Sequence, residues 1–183
     1  MAQVEQSEVI AGVGIAVLDV HGDERGRFEE TYRREWFPEG REMVQGNRAD
    51  RVAGSVVGLH YHLKQADYWY VPHGSARVVL HDLREGSPTE GATLEIDLHG
   101  DSARGVYIPP GVAHGFGALT DLTLTYLVDG YYNPDDELGV AWDDLEIAAD
   151  WSVVEPTLSE RDRANPTRAD LPDDRRPHWG LRA

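Results

Sequence analysis

Residues 54–74, GSVVGLHYHLKQADYWYVPHG, set two histidines one residue apart, His60 and His62, followed by an acid at Asp67 and a closing glycine at Gly74. Side chains two apart in a strand share a face, so His60 and His62 point together to one side of a sheet. A third histidine, His114, follows the turn Pro109-Pro110-Gly111. Polar groups gathered in this way from separate hairpins are best used by a concave sheet.

Outward from this stretch the chain is a run of short alternating segments broken by Gly, Pro and Asp, with little helical periodicity. Strands are expected over 14–20, 28–32, 55–62, 68–71, 76–83, 93–98, 105–108 and 122–128, with a single helical turn over 33–37. Turn chemistry falls at 23–27, 72–74, 85–88 and 109–111. That pattern predicts an all-β protein, a double-stranded jelly roll or cupin-like β-barrel with short peripheral helices. Its 183 residues suit one domain with a sizeable core, expected over 1–170. The charged, Pro-containing tail over 171–183 is expected to be irregular, lying loosely on the surface or covering a partner subunit.

Composition narrows the chemistry. The chain has no cysteine and one lysine, Lys64, so thiolate metal sites and a cysteine nucleophile are out, and a cationic lysine has one candidate. A formal net charge of −16 argues against nucleic acid and anionic membranes as partners, while leaving room for an anionic small ligand beside a local arginine. No apolar run reaches the ~18 residues of a membrane span, and the first residues lack the pattern of a secretory leader; a cytoplasmic protein is expected. Trp69, Trp142, Trp151 and Trp179 read as packing residues.

The spacing His60-x-His62-x(4)-Asp67-x(6)-Gly74, then Pro109-x-Gly111-x(2)-His114, resembles the two motifs of the cupin superfamily. His60, His62, Asp67 and His114 would then be a metal set suited to Fe, Mn, Ni, Co or Zn. The plainer alternative is that each histidine is a satisfied polar residue inside a barrel.

A more extensive resemblance runs through Asp23-Glu24-Arg25-Gly26-Arg27-Phe28, Gln45-Gly46-Asn47, Gly58-Leu59-His60-Tyr61, Asp82-Leu83-Arg84, Ser87-Pro88-Thr89, the run from Ile108 to Phe116, Trp142-Asp143-Asp144 and the run from Leu158 to Asp162. In these the chain resembles the dTDP-4-dehydrorhamnose 3,5-epimerase family, dimeric jelly rolls that work without a metal or other cofactor on a 4-keto-6-deoxyhexose nucleotide. The resemblance implies that His60 takes a proton from a carbon next to the 4-keto group, a task suited to imidazole. Asp162 would hold its other nitrogen, and Tyr126 would return the proton to the opposite face. Arg25, Glu30, Gln45 and Asn47 match positions around the nucleotide, and His114 one in the sugar pocket.

Three departures accompany these matches. Val57 stands where the family has an arginine facing the diphosphate, and His62 where it has Gln. Asp67 stands where it has a lysine that stabilises the developing enolate. A carboxylate there repels an enolate, by about 1 kcal/mol at 4 Å even in water. Lys64, on the strand parity of His60 and His62, could fill the vacated place. The four-ligand metal could also do so, or the chain could be a sugar-binding homologue without turnover.

Overall fold

The computed structural model describes residues 2–38 and 41–180. Among the described residues thirteen strands form in chain order: β1 (Gln3–Gln6), β2 (Gly14–Val17), β3 (Val20–Asp23), β4 (Gly26–Glu29), β5 (Gln45–Arg51), β6 (Val56–Tyr61), β7 (Asp67–His73), β8 (Ser75–Asp82), β9 (Thr93–His99), β10 (Arg104–Ile108), β11 (Val112–Ala118), β12 (Leu122–Val128) and β13 (Leu138–Gly139). A six-stranded sheet runs β1-β2-β10-β7-β12-β5, a five-stranded sheet runs β13-β6-β11-β8-β9, and β3 and β4 form a two-stranded ribbon. All pairings between strands are antiparallel. This is the expected jelly roll, with one short helix, α1 (Glu160–Arg163), and 3₁₀ turns at Arg34–Trp36, Pro134–Asp136 and Asp173–Arg175.

The core between the sheets is built from Trp69 and Val71 of β7, Val78 and Leu80 of β8, Phe116 of β11, and Leu122 and Leu124 of β12. Both sheets are also covered on the outside. Tyr68 and Tyr70 of β7 pack outward with Leu18, Phe37 and Tyr107. Leu59 and Tyr61 of β6 pack outward with Val79, Val140, Ile147, Trp151 and Leu171. Cover on two faces leaves β7, β8 and β11 buried along most of their lengths rather than at alternate residues.

Several boundaries differ from expectation. The strand expected over 28–32 ends at Glu29, and Val20 begins a separate hairpin instead of ending β2. The strands β1, β5, β11 and β13 are not among those expected. The sequence of β5, QGNRADR, has a single apolar side chain to carry a period. In β11 the glycines Gly115 and Gly117 leave room for neighbouring elements: a Cβ on Gly115 would lie 2.8 Å from the Trp151 ring. The tail is held rather than loose through its described part. Leu171 is buried, the Tyr61 hydroxyl donates to the Arg175 carbonyl at 2.9 Å, and the Arg84 guanidinium sits 4.6 Å above the Trp179 ring. Residues 181–183 of the expected tail lie outside the described residues.

Candidate active site

A bulge aims the central histidine. His60 pairs with His114 and Val57 with Phe116, so three steps of β6 face two steps of β11. The extra residue falls at Gly58, whose φ of +117° favours glycine. Because of it Val57 and His60 face the same cavity despite their odd spacing, and His60 and His62 keep the shared face that alternation predicts. The cavity, about 250 Å³, is lined from the five-stranded side by Val57, His60, His114 and Phe116, and from the facing sheet by Ala49, Arg51, Asp67, Trp69, Leu124 and Tyr126. His62, Gln65, Glu137 and Arg161 complete its rim and floor.

His60 Nε2 lies 2.7 Å from Asp162 Oδ1. Asp162 is buried at the start of α1, where the Ser159 hydroxyl accepts the Asp162 N–H at 3.1 Å and fixes the helix start. Burial works to raise the Asp162 pKa, yet hydrogen bonds from His60, Ser159 and the Gly58 N–H outweigh it and hold the carboxyl below its ordinary range. Asp162 is thus the ionised partner, Nε2 of His60 carries the shared hydrogen, and Nδ1 is left as the basic nitrogen. Tyr126 stands on β12, paired with Trp69 of β7 and Asn47 of β5. Burial first, then the negative charges of Asp67 and Glu137, raise its pKa, so its phenol is a proton donor at neutral pH.

On the cavity floor Asp67 is 3 % exposed. Its Oδ1 accepts from Gln65 Nε2 at 2.8 Å and its Oδ2 from Trp69 Nε1 at 3.1 Å. His62 Nε2 faces Oδ1 at 3.8 Å and His114 Nε2 faces Oδ2 at 3.9 Å. The Nδ1 atoms of these histidines bond to backbone carbonyls, His62 to Asp136 at 2.7 Å and His114 to Val112 at 2.9 Å. Burial drives the His114 pKa down.

The remaining expected residues separate. Gln45 Nε2 donates to Asn47 Oδ1 at 2.9 Å on β5, on the strand face that continues to Ala49 and Arg51 of the cavity. Arg25 sits at the tip of the β3–β4 hairpin, its side chain 84 % exposed and ion-paired to Asp23. Glu30 pairs with Arg33 at 2.7 Å beside a different depression shared with His21 and Phe28. Lys64 does not follow the parity of His60. Strand β6 ends at Tyr61, and the N–H groups of Leu63, Lys64 and Gln65 wrap the Asp136 carboxylate at 2.7, 3.2 and 3.2 Å. That wrap leaves the lysine exposed and puts Gln65 in the cavity. The four-residue metal set is corrected likewise: His62, Asp67 and His114 gather their ligand atoms within 4.8 Å of one another, while His60 is engaged by Asp162.

Arg51 and Arg161 are cavity cations that the sequence reading missed. Arg51 was within reach, being two steps of period-two alternation beyond Asn47. Arg161, 3.2 Å from Glu137, had no such signal, because α1 meets the cavity only through the fold.

A family model described as dTDP-4-dehydrorhamnose 3,5-epimerase matches residues 7–170. The spore coat polysaccharide biosynthesis protein SpsL of Bacillus subtilis is 40 % identical over 150 residues, covering 79 % of this chain and 98 % of that protein. Among solved structures, a 4-keto-6-deoxy sugar epimerase from the novobiocin biosynthetic gene cluster of Streptomyces spheroides superposes with a TM-score of 0.91 at 35 % identity, over 98 % of this chain and 94 % of that one. A dTDP-6-deoxy-D-glucose-3,5-epimerase from Legionella pneumophila, solved in complex with dTDP-4-keto-L-rhamnose, also has a TM-score of 0.91, at 29 % identity over 98 % and 99 % of the two chains.

Proposed function

The chain belongs to the dTDP-4-dehydrorhamnose 3,5-epimerase family, an isomerase family, and from that premise we propose that it epimerises a dTDP-4-keto-6-deoxyhexose at C3, C5 or both. The observation that carries the reading is that His60 and Tyr126 line one cavity from opposing sheets. Inversion needs a base on one face of a carbon and an acid on the other, and two facing sheets supply both.

In this reading Nδ1 of His60 removes the proton from the carbon next to the carbonyl, and Asp162 stabilises the imidazolium that results. The electron pair moves into the carbonyl as an enolate. Tyr126, held protonated by its surroundings, delivers a proton to the other face. Proton transfer alone balances the reaction, so no redox cofactor takes part. Arg51, from the sheet facing Val57, and Arg161 meet the diphosphate in place of the charge that Val57 does not offer. His114 and Trp69 pack against the sugar.

Arg25 and Glu30 lie apart from the cavity within one chain, whereas Gln45 and Asn47 lie on the β5 face that continues to Ala49 and Arg51 of its lining. This supports a homodimer in which the hairpin of one protomer completes the nucleotide end of its partner's cavity. Among the described residues no helix is long and apolar enough to cross a membrane.

The reading is tested by NMR of dTDP-4-keto-6-deoxyglucose with the protein in deuterated buffer. Loss of the C3 or C5 proton signal is expected and identifies the carbon attacked; His60→Ala should abolish it while leaving the fold intact. Tyr126→Phe should slow inversion more than exchange, and no exchange by the intact protein removes the reading for this substrate.

A further inference from the structure

We propose that His62, Asp67 and His114 bind one divalent transition-metal ion on the cavity floor, beside His60 and without it. The inference deepens the proposed function, on which it rests only for what the charge does there.

Tautomers come first. His62 and His114 each direct Nδ1 at a backbone carbonyl, at 2.7 and 2.9 Å. A carbonyl only accepts, so the hydrogen of each neutral ring is on Nδ1 and the Nε2 lone pair is bare. Both lone pairs point at Asp67, itself an acceptor, across 3.8 and 3.9 Å. Three acceptors buried to 5 % exposure or less converge with no donor between them, at distances too long for hydrogen bonds. A cation in their midst satisfies all three.

Geometry and the supporting groups agree. Donors about 2.1 Å from a shared ion lie within about 4.2 Å of each other. Both imidazole–carboxylate separations meet that bound, and all three ligand atoms lie within 4.8 Å of one another. The groups behind the ligands are those metal sites use: carbonyls hold the imidazoles, and Gln65 and Trp69 hold the carboxylate. Two imidazoles and one carboxylate suit Fe(II), Mn, Co, Ni or Zn, with open positions toward the cavity.

The consequence concerns charge. Without a cation, Asp67 opposes a negative charge developing in the cavity, and Lys64 is too far outside to help. A divalent ion would reverse the sign of the floor while leaving His60 and Asp162 to handle the proton.

The test is calorimetric titration of chelator-treated protein with Co²⁺, with the visible spectrum recorded in parallel. One ion per chain is expected, with a Co²⁺ absorption band. His114→Gln and Asp67→Asn should each weaken binding about 100-fold or more, their folds checked by melting and circular dichroism, while His60→Gln should still bind. No binding at millimolar Co²⁺, or binding unchanged in both ligand variants, overturns the proposal. Should either ligand variant fail to fold, an unchanged Co²⁺ band in the other overturns it equally. Solvent deuterium exchange by the chelated protein reports separately on the epimerase reading: exchange without any Co²⁺ binding leaves that reading standing and sinks only this one.

Discussion

The 2.7 Å bond between His60 Nε2 and Asp162 ties a strand residue to the start of a helix 102 positions away in sequence, and it decides which nitrogen can act as a base. Asp162→Asn should therefore lower turnover by a factor on the order of 10² to 10⁴, because an amide does not stabilise an imidazolium. The same carboxylate contributes to folding. Its pKa is depressed in the fold, so its stabilisation is complete above 3.8, where the unfolded chain titrates, and is lost as pH falls through the lower folded value. Wild type should be more stable than Asp162→Asn by about 1–2 kcal/mol at neutral pH, and the gap should narrow once the pH drops below 3.8. Chemical denaturation of both proteins across that range checks it; a gap independent of pH would show that Asp162 acts through packing alone. At this scale the histidines, Asp67, Tyr126 and Asp162 were legible from alternation and family likeness. Lys64 was not, because parity holds only while the strand continues, and the Asp136 carboxylate ends it.

At the scale of the element, the decisive feature is the bulge in β6. A Cβ on Gly58 would lie 2.7 Å from the Gly115 Cα and 2.8 Å from the His114 carbonyl, both backbone atoms of β11 that have little freedom to yield. Gly86 offers a contrast. Its φ of +77° is also left-handed, yet a Cβ there meets nothing within 4 Å. Gly86→Ala should cost about 1 kcal/mol, the backbone term by itself. Gly58→Ala should cost about 3 kcal/mol or more and displace His60 from both Asp162 and the cavity. Thermal melts compared with deuterium-exchange rates separate the two, and equal losses at both sites would mean that close approach to β11 does not matter. The strands at 55–62, 93–98 and 122–128 were readable because apolar side chains mark their faces. The polar β5 was not readable, since its identity comes from pairing with β12 rather than from any pattern of its own.

The whole molecule raises the question of what completes the cavity. Within one chain the base, the acid and two arginines are together, while Arg25 at the tip of the β3–β4 hairpin and Glu30 just past its end stand apart from them, beside a Phe28 that is 66 % exposed. The hairpin is tied to its own chain through Arg27, which pairs with Asp101, and Glu29, which takes the Tyr70 hydroxyl, but its tip carries an exposed aromatic and a cation that gain by packing on a second copy. In a closed two-fold dimer each protomer would lend its hairpin to the other, and each cavity would draw on both chains. Complementation measures this directly. Arg25→Ala and His60→Ala homodimers should each be weak or inactive, the first through substrate affinity and the second through chemistry. Mixed in equal amounts and allowed to exchange subunits, half the dimers become hybrids. In a hybrid, the His60→Ala chain's intact hairpin faces the Arg25→Ala chain's intact His60, so one of the two cavities is whole. Activity should return to about a quarter of wild type. If Arg25 instead served its own chain's cavity, every hybrid site would lack one of the two groups, and mixing would restore nothing.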